Sequence, residues 1–163
     1  MSVNSAAFRE AMGHLAGGVT VVTTVNAAGE PHGFTATAVC SVSLDPPLVL
    51  VCVGFQGKTL SAIRESGRYA LNFLHRDGTA NSARFSGSDD RKFDDLDWTA
   101  APDGSPLLTQ ALAWAECAVE REIEAGDHVV FIGRVTSAEG GRVAGTPLIH
   151  FKGRYHTVTP LDE

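Results

Sequence analysis

The sequence predicts a mainly β domain, in which antiparallel strands form a barrel and a few short helices are added. Many short apolar or β-branched runs are separated by turn residues, and few segments have helical spacing. No strand is followed by the glycine pattern G-x-G-x-x-G, which disfavours a doubly wound dinucleotide-binding sheet. The chain therefore belongs to the class of small antiparallel β proteins.

The composition predicts one globular domain that spans residues 1–163 and has a single core, since 44% of the chain is hydrophobic. A net charge of -6 excludes the basic surface that nucleic acid requires. The sequence has no apolar run of about 20 residues, and Arg9, Glu10 and His14 interrupt any signal peptide. We therefore expect a cytoplasmic protein that contacts no membrane.

Neither a disulfide framework nor a metal site is expected. The three cysteines are widely spaced and lie in apolar runs. No two of the six histidines are three or four residues apart, which is the spacing that places two ligands on one helix face.

The first part of the chain predicts a helix followed by a hairpin. Residues 5–15 have apolar side chains at helical spacing, and Gly17-Gly18 provides a stop. Residues 19–25 are β-branched and should pair, across a turn, with a strand at residues 33–44. Residues 48–53 form a wholly apolar strand.

The middle of the chain alternates helix and strand and then becomes polar. Residues 58–65 have the composition of a helix that Gly67 ends, residues 69–74 predict a strand, and residues 79–85 predict a short helix. Residues 86–106 are rich in aspartate and are interpreted as a long excursion over the surface.

The last part predicts further antiparallel strands. Apolar residues alternate with glutamates over residues 113–123, which favours a strand, although helical spacing also fits. A turn at Gly126-Asp127 leads to a strand at residues 129–137. Residues 148–151 should pair with residues 154–158 across a tight turn.

Residues 54–59 follow a buried strand and open a helix, which is anion-binding geometry. The P-loop pattern needs a glycine where Cys52 stands, so a nucleoside triphosphatase is excluded, while a single flavin mononucleotide phosphate fits. The alternative interpretation of residues 54–59 is an ordinary helix start in which Gly57 gives flexibility.

Two further segments allow both a functional and a structural interpretation. Residues 35–43 combine small side chains with hydroxyls, which lets a flat ring approach the backbone; a strand with one wet face has the same composition. His128 follows a turn and can project over a barrel mouth, or it can be an ordinary solvated histidine.

An ordered series of segments resembles the flavin reductase family, small proteins with a flavin-binding split β-barrel that supply reduced flavin to two-component monooxygenases. Its most specific stretch is Ser41-Val42-Ser43-Leu44-Asp45-Pro46-Pro47-Leu48-Val49, and the other segments are residues 8–12, 17–23, 33–38, 72–74, 84–86, 126–128 and 153–155.

The resemblance implies hydride transfer from NADH or NADPH to FMN or FAD, and release of reduced flavin to a separate monooxygenase. It also implies a homodimer. The residues expected along the isoalloxazine ring and ribityl chain are Thr35, Ala36, Thr37, Ala38, Ser41, Val42 and Ser43. Those expected near the flavin phosphate are Cys52, Val53, Gly57, Lys58 and Thr59, with Arg84 and Phe85 closing that side.

The resemblance places His128 beside the nicotinamide, as the catalytic residue, and Arg154 and Tyr155 on the nicotinamide nucleotide. Many relatives have a small polar residue where this chain has Lys58, which leaves the choice between FMN and FAD open.

Two alternatives to the reductase remain. One is a flavin-binding electron carrier or chromophore protein without turnover, which would not need His128 or Arg154-Tyr155. The other is an oxidase of a small amine or a phosphorylated vitamin, which needs more basic residues around the mouth than this chain offers.

Overall fold

The computed structural model describes residues 3–161 and confirms a mainly β chain with few helices. The predicted domain of residues 1–163 includes two residues at each end that lie outside the described part. The helices are α1 Ser5–Gly13, α2 Lys58–Ser66 and α3 Thr79–Ser86. The strands are β1 Gly17–Gly18, β2 Thr20–Val25, β3 Pro31–Ala36, β4 Val39–Ser43, β5 Leu48–Gly54, β6 Arg68–Leu74, β7 Trp98–Ala100, β8 Pro106–Leu108, β9 Ala111–Ala125, β10 His128–Gly140, β11 Ile149–Phe151 and β12 Arg154–His156.

No helix within residues 3–161 has both the length and the apolar character needed to cross a bilayer.

Seven of the strands form one antiparallel sheet in the order β3-β2-β6-β9-β10-β5-β4. The predicted hairpins are confirmed: β2 pairs with β3, β9 with β10, and β11 with β12. Gly126, with φ 64°, supplies the left-handed position in the turn between β9 and β10. Within residues 3–161 no strand pairing joins β3 to β4, so the sheet is open.

The prediction of one strand over residues 33–44 was wrong. The chain leaves the β2 ladder after Ala36, and β4 pairs instead with β5 at the opposite edge of the sheet. Small and hydroxylated side chains have no strong apolar alternation in this run, so the pattern does not reveal where the chain changes partner.

Helix α2 covers one face of the sheet. Its residues Leu60 and Ile63 are buried in a core cluster with Val51, Val53 and Phe131, among others. At its end Gly67 is left-handed, with φ 67°, and its N–H binds the Ile63 carbonyl. The helix therefore lies over β2, β3 and β6, and its apolar side chains reach the core that β5 and β10 also line.

The prediction that residues 86–106 run over the surface was wrong in part. Phe93, Leu96 and Trp98 pack against a second core cluster that includes Phe85 and Leu108. The segment also contributes β7, which pairs with β8. Aspartates lie between these apolar side chains, so the overall polar composition of the run does not indicate which of its positions are buried.

Buried Asn72 ties three strands together. Its Nδ2 donates to the Val21 carbonyl at 3.1 Å and to Thr23 Oγ1 at 3.0 Å, and its Oδ1 accepts from the Leu108 N–H at 2.8 Å. The side chain joins β6 to β2 and β8, which satisfies polar atoms that the core would otherwise leave unpaired.

Helix α3 lies against β3 because Gly33 has no side chain. A Cβ at Gly33 would lie 2.8 Å from Phe85 Cε1 and 2.9 Å from the Val22 carbonyl oxygen. Phe85 is 1% exposed, and its ring makes an edge contact with Phe93, with centroids 5.1 Å apart.

We expect Gly33→Ala to lower the free energy of unfolding by about 1–3 kcal/mol, because the new methyl group overpacks the Phe85 ring and a backbone oxygen. Denaturant titration measures the change. The matched control is Gly140→Ala in β10, where a Cβ meets nothing within 4 Å and the effect should stay within about 0.5 kcal/mol. Equal losses for both variants would contradict the packing role of Gly33.

Candidate functional site

A cleft of about 890 Å³ lies between the start of α2, strand β3 and the segment that follows α3. We call it the large cleft. Its size suits a cofactor or small substrate. The predicted site residues that line it are Thr35, Val53, Gly57, Lys58, Thr59 and Phe85.

The N-terminus of α2 forms one wall of the large cleft. Gly57 caps it without a side-chain hydrogen bond, so first-turn N–H groups are not satisfied by a capping side chain. These groups and the helix dipole favour an anion. Lys58 adds an ammonium whose Nζ lies 2.6 Å from Asp90 Oδ2, and both side chains are about two-thirds exposed or more, at 69% and 71%.

Lys92 lies on the opposite wall, and the sequence interpretation missed it. Its Nζ donates to the carbonyl oxygens of Gly33 and Phe85, each at 3.2 Å. Burial lowers the pKa of this half-buried ammonium. The aspartates around Lys92 suggested a solvated loop; the apolar Phe93 beside it was the signal that this part of the loop is anchored.

A smaller cavity of about 210 Å³ adjoins the large cleft, because Thr35 and Ser86 line both. Its other predicted site residues are Ala36, Thr37 and Tyr155.

Hydroxyl groups hold the wall of this smaller cavity together. Thr35 Oγ1 donates to the Ser82 carbonyl at 2.7 Å, and the hydroxyls of Ser82 and Tyr155 are hydrogen-bonded at 2.9 Å. Ser82, which the sequence interpretation missed, therefore connects β3, α3 and β12. The Thr35 hydroxyl is engaged in this link, so its backbone and methyl group are what it offers to a ligand.

His128 lies outside both cavities but beside the large cleft, because it pairs with Gly54, which lines that cleft. Its Nδ1 is 2.7 Å from Asp127 Oδ1 and lowers the pKa of that carboxyl. A carboxylate only accepts, so Nδ1 carries a proton, and in this tautomer of the uncharged ring Nε2 is an acceptor. Nε2 lies on the Gly54 side, 3.9 Å from where a Gly54 Cβ would be.

The remaining predicted residues lie outside both cavities. Ala38 immediately precedes the edge strand β4, which contains Ser41, Val42 and Ser43. The Cys52 N–H donates to the Ala38 carbonyl at 3.1 Å, which joins this edge to β5. Burial raises the pKa of the Cys52 thiol, so it stays protonated at neutral pH.

The two arginines among the predicted site residues lie in different surroundings. Arg84 Nη1 donates to the Asp94 carbonyl at 2.7 Å, so its guanidinium braces the segment after α3. Arg154 is exposed in β12, opposite Phe151. The structure thus brings together the α2 start, β3 and α3, and leaves β4 and Arg154 apart from them.

Comparison with protein-family models matches residues 12–159 to the family described as flavin reductase like domain. A probable flavin reductase of Rhizobium meliloti is 43% identical over 151 residues, which cover 93% of this chain and 48% of that protein. The chain thus spans about half the length of this relative. A flavin reductase (NADH) of Kitasatospora aureofaciens is 39% identical over 94% of this chain and 81% of its own.

A solved structure of a flavin oxidoreductase has a similar fold. The NADH:FAD oxidoreductase SgcE6 of Streptomyces globisporus, in complex with NAD and FAD fragments, superposes with a TM-score of 0.89. The two chains are 34% identical, over 96% of this chain and 94% of the other.

We expect Thr35→Val to lower the free energy of unfolding by about 0.5–1.5 kcal/mol, because it deletes the hydrogen bond to Ser82 and keeps the side chain's shape. Thr37→Val is the matched control, because Thr37 is exposed and its hydroxyl has no hydrogen-bond partner among residues 3–161. Denaturant titration compares the two. A Thr35→Val protein as stable as the control would refute the structural link.

Proposed function

This chain belongs to the flavin reductase family, and from that premise we propose that it transfers hydride from NADH or NADPH to FMN or FAD. The reduced flavin is then passed to a separate monooxygenase. The observation that carries the proposal is the large cleft, where an uncapped helix start with Lys58 adjoins a hydroxyl-lined cavity and the His128 imidazole lies alongside. The names of the relatives agree with this activity.

The residues present fit a flavin phosphate and a flat ring. Uncapped N–H groups of Gly57, Lys58 and Thr59 and the Lys58 ammonium suit the phosphate. The small residues Ala36 and Thr37 leave backbone accessible to a ring beside the Tyr155 hydroxyl. When bound, flavin supplies the hydride acceptor, so the protein needs no nucleophile of its own.

His128 has the role of orienting the nicotinamide. With Nδ1 held by Asp127, its Nε2 accepts a hydrogen bond, which suits a carboxamide N–H₂. Arg154, exposed on the β11–β12 hairpin, offers a cation for the nucleotide phosphates. In these assignments His128 and Arg154 position the nicotinamide nucleotide for hydride transfer. Neither side chain gives up or takes a proton in the reaction.

The proposal predicts that the colourless purified protein oxidises NADH or NADPH rapidly only when FMN, FAD or riboflavin is added, as followed by nicotinamide absorbance. In the same assay His128→Ala should lower kcat/KM for the nicotinamide by about tenfold at most, the worth of one neutral hydrogen bond. Flavin affinity should not change.

Other results of that assay contradict specific parts of the proposal. A stoichiometrically yellow protein without turnover would favour the electron carrier over the reductase. A folded His128→Ala protein with no turnover would overturn the orienting role and require a chemical one.

We expect Lys58→Met to raise the dissociation constant for FMN about tenfold, because it removes one charge-assisted contact to the phosphate. The expected loss is at the low end for such contacts, since Lys58 is largely exposed. Riboflavin lacks the phosphate and serves as the matched ligand, with no change expected. Quenching of flavin fluorescence measures both, and equal losses would refute the phosphate assignment.

We also propose a homodimer formed through the outer face of β4, β5, β10 and β9. Residues directly opposite each other in antiparallel strands point to the same face. Val51, Val53 and Phe131 face the core, so the alternate positions face outward. The apolar members of the outward set are Cys40, Leu50, Cys52, Ile123, Val130 and Ile132, and the strand register places Arg121 beside Ile132 at their margin. An apolar surface of this kind is typical of a subunit contact.

Light scattering on a sizing column should therefore give twice 17.2 kDa for the protein. Leu50→Glu should give the single-chain mass, because it places a charge in the centre of the outward apolar set. Val158→Glu is the control, since Val158 is 46% exposed and lies outside that set. A Leu50→Glu protein that remains a dimer would place the contact elsewhere.

Two further proposals concern architecture and compartment. The order of the sheet places β3 and β4, consecutive in the chain, at its two edges, which supports the split form of a β-barrel. The three cysteines are all unpaired thiols, as in a reducing compartment, which supports a cytoplasmic location.

A further inference from the structure

The large cleft has more acidic than basic groups on its walls. Its ammonium groups are those of Lys58 and Lys92. Its carboxylates are those of Glu30, Asp89, Asp90 and Asp94. An anionic ligand therefore enters against local negative charge, which lowers its affinity relative to a purely basic site.

Asp90 and its neighbour Asp89 have different ion-pair partners. Asp90 Oδ2 is 2.6 Å from Lys58 Nζ, at the start of α2. Asp89 accepts instead from Arg91, from its N–H at 2.9 Å and from its guanidinium at 3.4 Å. The two aspartates are adjacent and carry the same charge, but only Asp90 contacts the cation that we assign to the phosphate.

The segment that carries Asp90 is anchored at its far end. Lys92 is bound to the Gly33 and Phe85 carbonyls, and the Phe93 ring packs on Phe85. Arg84 holds the backbone at Asp94. The Asp90 side chain, in contrast, is 71% exposed, so water and small ions reach its contact with Lys58.

We propose that Asp90 is an affinity-determining residue of the flavin site, because its carboxylate competes with the flavin phosphate for the Lys58 ammonium. This inference rests on the proposed function. A phosphate that binds Lys58 replaces the Asp90 carboxylate, so one charge contact is exchanged for another. Flavin therefore binds less tightly than Lys58 alone would allow, which suits a flavin that leaves after its reduction.

Asp90→Asn tests this directly. The substitution frees Lys58, so the dissociation constant for FMN should fall about two- to fivefold, the worth of an exposed ion pair. Riboflavin, which has no phosphate, should bind unchanged. Fluorescence quenching at physiological ionic strength measures both, because longer-range effects of charge are then screened.

Asp89→Asn is the matched control, since it makes the same change of charge one residue away. It should tighten FMN binding clearly less than Asp90→Asn does, because Asp89 contacts Arg91 and not Lys58. Equal tightening by Asp89→Asn and Asp90→Asn would overturn the inference and indicate a general charge effect.

A double-mutant cycle with Lys58→Met separates this inference from the proposed function. In the Lys58→Met background, Asp90→Asn should no longer tighten FMN. If Lys58→Met weakens FMN but Asp90→Asn has no effect in the natural background, the inference fails and the phosphate site stands. If FMN affinity is insensitive to Lys58→Met as well, the phosphate site itself fails.

Discussion

The close approach of Phe85 to Gly33 is the contact on which the site depends. Without a Cβ at Gly33 the Phe85 ring approaches β3 closely and fixes α3 to the sheet. The carbonyls of these same two residues then hold the Lys92 ammonium. Because α3 is fixed, Ser82 reaches both Thr35 and Tyr155, and a core contact thereby shapes the walls of both cavities.

Several hydrogen-bonding groups on or beside these walls are already used by the protein. Thr35 bonds to Ser82, Arg84 braces the backbone near Asp94, and Lys92 is bound to two carbonyls. Lys58 has an exposed partner and the first turn of α2 has no side-chain cap, so these remain exchangeable. Such a division leaves an exchangeable anion site beside internally bonded walls, which agrees with the proposed release of reduced flavin.

Local patterns in the sequence predicted the hairpins and α2 well. Strand alternation and the turn at Gly126 need only neighbouring residues, and both are visible in β9 and β10. The change of partner after Ala36 and the anchoring of Lys92 depend on contacts with distant residues, and no local period encodes these. The resemblance places Arg84 on the phosphate side of the flavin, and no local pattern indicates that its guanidinium donates to the backbone carbonyl of Asp94.

Five of the predicted residues outside the two cavities share one location, namely Ala38, Ser41, Val42, Ser43 and Cys52. Ala38 and the residues of β4 lie at the sheet edge beside β5, whose outward side chains Leu50 and Cys52 belong to the apolar face that we assign to the dimer. A second chain on that face would cover this edge and add a wall next to it. The separation of these residues from the large cleft and the exposure of an apolar sheet face therefore have one explanation. In the proposed dimer, the second chain would complete a flavin site of which one chain presents only part.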